Sequence, residues 1–237
     1  MGVLKNLTDE YFGETERMED KIELPKGVIR KDFTDKNGVR HHNGYFVESG
    51  NKETLKELLK RLIEKRGLEG DFNDIDVSNI NDMKELFMGC DIFGNNTDVA
   101  DFNGDITGWD VSKVADMSDM FCESKKFNRP IGKWDVSGVT KMQGMFNLAE
   151  KFNQPIGDWK VNDVRDMSYM FYHAYSFNQP IGNWKVKKVM YMNYMFDTAI
   201  NFNQDISGWE LDNVLSFTSM FGNCPIENKY KPKKFKE

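Results

Sequence analysis

The chain has 237 residues, 39% of them hydrophobic, and a formal net charge of −6 with basic side chains interspersed among acids. That balance argues against a general nucleic-acid binder, which presents a strongly basic face; no run approaches the roughly 18 apolar residues of a membrane span, and the N-terminus lacks the apolar stretch of a secretory signal. Cys90, Cys122 and Cys224 lie far apart with no CxxC pair and leave an odd thiol over, which supports neither a zinc site nor a disulfide framework.

Residues 1–50 are polar and charged. Strand signals over Val28 to Phe33 and Val39 to Val47, around Asp35-Lys36-Asn37-Gly38, predict a small β-hairpin. His41 and His42, near Asp32 and Asp35, invite an acid-base or metal reading, but adjacent strand residues point to opposite faces. An exposed polar hairpin accounts for them better.

Residues 51–71 follow. Leu55, Leu58, Leu59, Leu62 and Ile63 recur at helical spacing between Asn51, a candidate N-cap, and Gly67, a terminator. The amphipathic helix over Lys52 to Arg66 is expected to cap a repeat array; a partner-binding helix is the alternative. Residues 72–101 hold a degenerate repeat, beginning Phe72-Asn73, with an insertion between Gly89 and Asp101 that reads as a loop.

From 102 to 226 a 25-residue unit returns five times, starting at Phe102, Phe127, Phe152, Phe177 and Phe202. Its skeleton is Phe-Asn-x-x-Ile-x-x-Trp-x-Val-x-x-Val-x-x-Met-x-x-Met-Phe. Pairs such as Trp159 and Val161 have the two-residue period of a strand, whereas Val164, Met167, Met170 and Phe171 have the spacing of a helical turn. One unit is too small to bury its own aromatic residues, so neighbouring copies must cover one another. The expected fold is therefore α/β: a right-handed solenoid of about six strand plus helical-turn coils, with the helix as N-terminal cap. Asn103, Asn128, Asn153, Asn178 and Asn203 are expected to form a buried ladder that satisfies backbone groups. Residues 227–237, with five lysines, read as a solvated polar tail.

The run Phe152-Asn153-Gln154-Pro155-Ile156-Gly157-Asp158-Trp159, continued by Val161, Val164 and Asp166-Met167-Ser168-Tyr169-Met170-Phe171, resembles the repeat of the BspA-like leucine-rich-repeat proteins. The resemblance covers Phe102 to about Ile226. It implies a leucine-rich-repeat-like solenoid and a bacterial surface or adhesion protein, some relatives being associated with binding host matrix proteins, and it carries no catalytic residues. It also places the chain at the cell surface, whereas the missing signal favours the cytoplasm.

The positions free to vary carry the functional expectation. Tyr169, Tyr172, Tyr175, Tyr191 and Tyr194 all fall in the third and fourth copies, and Lys160 and Lys185 add positive charge there. Exposed tyrosines give large contact area with few rotors and a polar tip, as protein interfaces favour. These seven residues are the expected partner-binding site; the bland reading is that the tyrosines only cover gaps between turns. His173 sits at a variable position and is expected to be exposed. Scattered acids around the degenerate copy lack the spacing of a calcium loop. The expectation is a non-enzymatic protein-interaction module, monomeric, with no metal or other cofactor, no nucleic-acid partner and no membrane insertion. Its ligand is another protein, engaged for adhesion, for immunity or as an intracellular scaffold. A carbohydrate-binding surface protein is the remaining alternative.

Overall fold

A computed structural model describes residues 22–48, 50–90 and 97–236. Residues 1–21 of the N-terminal appendage, and 91–96 of the insertion, lie outside the described residues.

Strand β1 (Val28–Thr34) pairs antiparallel with β2 (Arg40–Val47), Val28 facing Val47 and Thr34 facing Arg40. Asp35 closes the turn between them: its Oδ1 accepts the backbone N–H groups of Asn37 and Val39, as a turn aspartate does. Helix α1 (Lys52–Arg66) starts where Asn51 accepts the Glu53 N–H and stops at Gly67, whose N–H donates to the Ile63 carbonyl at a φ of 74°. It buries Leu55, Leu58, Leu59 and Leu62, about 1.5–3 kcal/mol of transfer free energy per side chain. The two-residue strand β3 (Ile75–Asp76) then joins β2 in parallel, giving the sheet order β1-β2-β3.

The expected leucine-rich-repeat-like right-handed solenoid of six strand plus helical-turn coils is not what the chain forms. Among the described residues, the regular structure is this single open three-stranded sheet, α1 and two 3-10 turns near the C-terminus. From 97 to 227 there is neither strand nor α-helix. The reason is local. Each Trp-x-Val pair is bounded by tight turns, as where Trp159 N–H donates to the Ile156 carbonyl and Val164 N–H to that of Val161, so no extended run can grow. Each Met-x-x-Met stretch has a left-handed residue in its middle, such as Tyr169 at φ 60° between Met167 and Met170, and a helix cannot continue through such a residue. Spacings of two and of three or four residues are met here by successive turns.

The copies nevertheless lie directly against one another. Single parallel bridges run Asp82 to Asp116, then to Lys141, Asp166, Tyr191 and Ser216. Around them backbone bonds from each copy to the next recur once per repeat, as in Met142 N–H to the Asp166 carbonyl and Phe146 N–H to that of Met170. Inside, Phe121, Phe146, Phe171, Phe196 and Phe221 stack at 5.6–5.9 Å between centroids. A second column, Phe127 to Phe202, runs beside it at 5.9–6.1 Å. The indole N–H of Trp159 donates to the Ile131 carbonyl one copy earlier at 3.2 Å, and Trp134, Trp184 and Trp209 repeat the bond.

The asparagine ladder forms, but at the surface. Asn103 and Asn153 are half-buried and Asn128 is exposed, yet each side-chain oxygen accepts the backbone N–H of the next asparagine at 3.0 Å. The glutamines beside them, Gln154, Gln179 and Gln204, donate to the same oxygens.

The expected solvated tail folds over the last copy instead. Phe235 meets the edges of Phe217 and Phe221 at 5.0 and 5.1 Å, Pro232 is buried, and the Tyr230 carbonyl accepts the Ile206 N–H. At the other end, Arg66 grips the Asp74 carboxylate with both terminal nitrogens at 2.7 and 2.8 Å, under the sheet.

Candidate interaction surface

Two repeat positions have left-handed backbone; one holds Glu85, Asp119, Gly144, Tyr169, Tyr194 and Ser219, with φ between 48° and 60°, and His173 lies at the other, at φ 53°. Side chains other than glycine are held there at a cost of order 1 kcal/mol or more, and the surrounding backbone imposes it. Tyr169 N–H donates to the Asn193 carbonyl and Tyr194 N–H to that of Thr218, both at 2.8 Å. A side chain at this position therefore leaves the backbone in a set direction, repeated from copy to copy.

In the third and fourth copies this brings two tyrosines face to face. The Tyr169 and Tyr194 rings are 5.1 Å apart and 12° from parallel. Tyr172 stands edge-on to both, at 5.7 and 6.4 Å. The strip continues through His173, whose ring lies 4.2 Å from that of Tyr172 and whose Nδ1 is 2.9 Å from the Tyr175 hydroxyl. All five side chains are half-buried, so each ring is steadied by its neighbours while one part of it faces solvent. His173 belongs to the cluster although its repeat position varies too much to single it out; its only signal was its place between Tyr172 and Tyr175.

The other sequence-predicted residues lie apart. Tyr191 occupies the bridge position, is 38% exposed, and lines a groove of about 660 Å³ with Met190, Arg165, Asp166, Lys141 and Asp116. None of the four clustered tyrosines lines that groove. Lys160 and Lys185 flank the buried Trp159 and Trp184 as exposed side chains. Neither bonds to a tyrosine of the strip.

Charge is concentrated beside Tyr191. Burial alone would raise the Asp116 carboxyl, but the Ser118 hydroxyl and N–H and the Lys141 ammonium, 3.1 Å away, hold it below its ordinary range. Asp119 goes the other way: burial, reinforced by the charge of Glu85, pushes it up to about 6 despite Lys84. On the hairpin, His41 Nε2 is 3.1 Å from Asp35 and His42 Nδ1 is 2.9 Å from Asp32. Each histidine thus has a carboxylate of its own, on opposite faces of β2. Among the described residues no three His, Cys, Asp or Glu side chains converge as a metal site would require, and no helix is long and apolar enough to cross a membrane.

No curated protein and no solved structure matches the chain. A family model described as Mycoplasma protein of unknown function, DUF285, matches residues 54–159, 92–196 and 162–232. The three stretches overlap and together run from α1 through the last copy, so the chain belongs to the DUF285 family of repeat-containing proteins.

Proposed function

We propose that the chain is a non-enzymatic protein-interaction module whose contact surface is the aromatic strip Tyr169, Tyr172, Tyr194, His173 and Tyr175. The observation that carries this reading is the stacked Tyr169 and Tyr194 pair with Tyr172 edge-on, built on left-handed backbone positions where other copies carry Asp119, Gly144 and Ser219. A rigid, half-exposed aromatic cluster loses little conformational freedom on binding and leaves hydroxyls for a partner's polar groups. Tyr191, Lys160 and Lys185 serve the periphery, where charge contributes more to the rate of encounter than to affinity. The partner is another protein, and the resemblance to BspA-like repeats favours adhesion to a host or matrix protein over intracellular scaffolding.

Binding of the full chain to a panel of immobilised extracellular-matrix proteins is the test, with the Tyr169→Ala, Tyr172→Ala, Tyr194→Ala triple variant as control. A variant that keeps the parent's circular dichroism should bind at least tenfold more weakly. Equal binding by both chains would overturn the assignment of the surface. Binding confined to a glycan array would replace the protein partner by a carbohydrate.

A further inference from the structure

The column that carries the stacked tyrosines changes character at Gly144. The Tyr169 ring has Tyr194 on one face, at 5.1 Å. On its other side the preceding rung is Gly144, which brings no side chain, and the Asp119 carboxylate leans over that glycine from the rung before. Asp119 also lines the groove beside Tyr191, together with Ser118 and Gln143. It therefore stands where the groove meets the aromatic strip.

This carboxylate has no hydrogen bond or ion pair among the described residues, and two lysines of the same groove are engaged elsewhere: Lys84 with Glu85 and Lys141 with Asp116, both at 3.1 Å. Burial and the charge of Glu85 push it up to about 6, so an ionised Asp119 is short of positive charge. Asn147, whose Cβ lies 3.8 Å from the point that a β-carbon on Gly144 would occupy, has a buried Oδ1 that is likewise unmatched. Two acceptors and one tyrosine face thus border Gly144. A planar cation with several N–H donors suits this set, because it stacks on an aromatic face and donates to more than one oxygen, whereas an ammonium is a compact and strongly hydrated point charge.

We propose that this end of the strip takes an arginine side chain of the partner protein, its guanidinium against the Gly144 side of the Tyr169 ring and its N–H groups directed to the Asp119 carboxylate and Asn147 Oδ1. The assignment rests on the reading of the strip as the contact surface and adds the chemistry that it recognises. Asp119 is then an acid kept poorly solvated for binding, at a cost in stability that the partner's charge offsets.

Titration of the full chain with Nα-acetyl-arginine amide tests this, read by nuclear magnetic resonance of labelled tyrosine rings, the Tyr169 signal being identified by its loss in Tyr169→Phe. That signal should shift saturably, in the millimolar range. The citrulline analogue, which keeps the shape without the charge, should bind about fivefold more weakly, and so should the arginine probe to an Asp119→Asn chain of unchanged circular dichroism. Absence of a saturable shift, equal affinity for the citrulline or lysine amide, or unchanged affinity in Asp119→Asn would each overturn the proposal. In the matrix-protein assay, loss of binding by the tyrosine triple variant but not by Asp119→Asn would overturn the arginine assignment and leave the strip standing as the contact surface. Matrix binding that neither variant alters, beside an arginine titration that runs as expected, would remove the strip as the matrix contact and uphold the arginine site.

Discussion

The carboxylate of Asp119 occupies the space that a β-carbon on Gly144 would need, one copy further along the same left-handed column. Gly144→Ala therefore meets two penalties, a positive φ and the displacement of a half-buried acid. It should destabilise the protein by about 1–2 kcal/mol, measured by denaturant unfolding. In an Asp119→Gly background the cost should shrink toward the backbone contribution alone, so the double-mutant cycle should not be additive.

Asp119 itself should make stability depend on pH. Its folded pKa, about 6, lies above the ordinary 3.8, so above pH 6 the folded state holds an ionised carboxylate that it disfavours. As pH falls from about 6 to about 4 the folded chain takes up the proton first and this penalty disappears. Asp119→Asn should therefore raise stability at pH 7.5 by about 1–2 kcal/mol once solvent screening is allowed for. The gain should vanish below about pH 4. Thermal melts of both chains across that range would check the sign.

Asn153 accepts from Asn178 N–H and from the Gln179 side chain. Asn153→Ala removes that acceptor and should cost about 1–2 kcal/mol. Asn153→Asp keeps an oxygen in place and should recover most of the loss at neutral pH. Equal losses for both substitutions in chemical denaturation would show that the acceptor does not matter.

Phe235→Ala uncovers Phe217 and Phe221 at the C-terminal end. Because the contact is terminal and Phe235 half-buried, the loss should be about 1–3 kcal/mol and largely local. Amide exchange should quicken over residues 215–222 and change little before 190. A uniform increase along the chain would show instead that the copies unfold as one unit.

The apolar skeleton was readable because stacking repeats it: Phe, Ile, Trp, Val and Met are buried at the positions where they recur, Trp159 and Phe171 among them. The hairpin and α1 show the same correspondence between pattern and burial, with Val28, Tyr45 and Val47 inside and Leu55 to Leu62 beneath the helix. The path of the backbone within each copy was not readable. One left-handed position holds Glu, Asp, Gly, Tyr, Tyr and Ser in turn and the other Glu, Leu, His, Thr and Asn, and one glycine among them gives no hint of a positive φ. The pairing of Tyr169 with Tyr194 followed from their shared register, but the edge-on approach of Tyr172 and the place of His173 depend on that hidden backbone. The anchoring role of Phe235 is hidden by the lysines around it, which dominate the tail's composition, although a lone phenylalanine among them is the available signal.

Each asparagine oxygen of the ladder accepts the N–H of the rung beyond, and the last, Asn203, accepts the Glu227 N–H. Such a ladder has no record of its own length. A unit of 25 residues could be gained or lost between the two ends with each junction remade unchanged, so this architecture can lengthen or shorten by recombination between its own copies while its left-handed column goes on presenting new side chains.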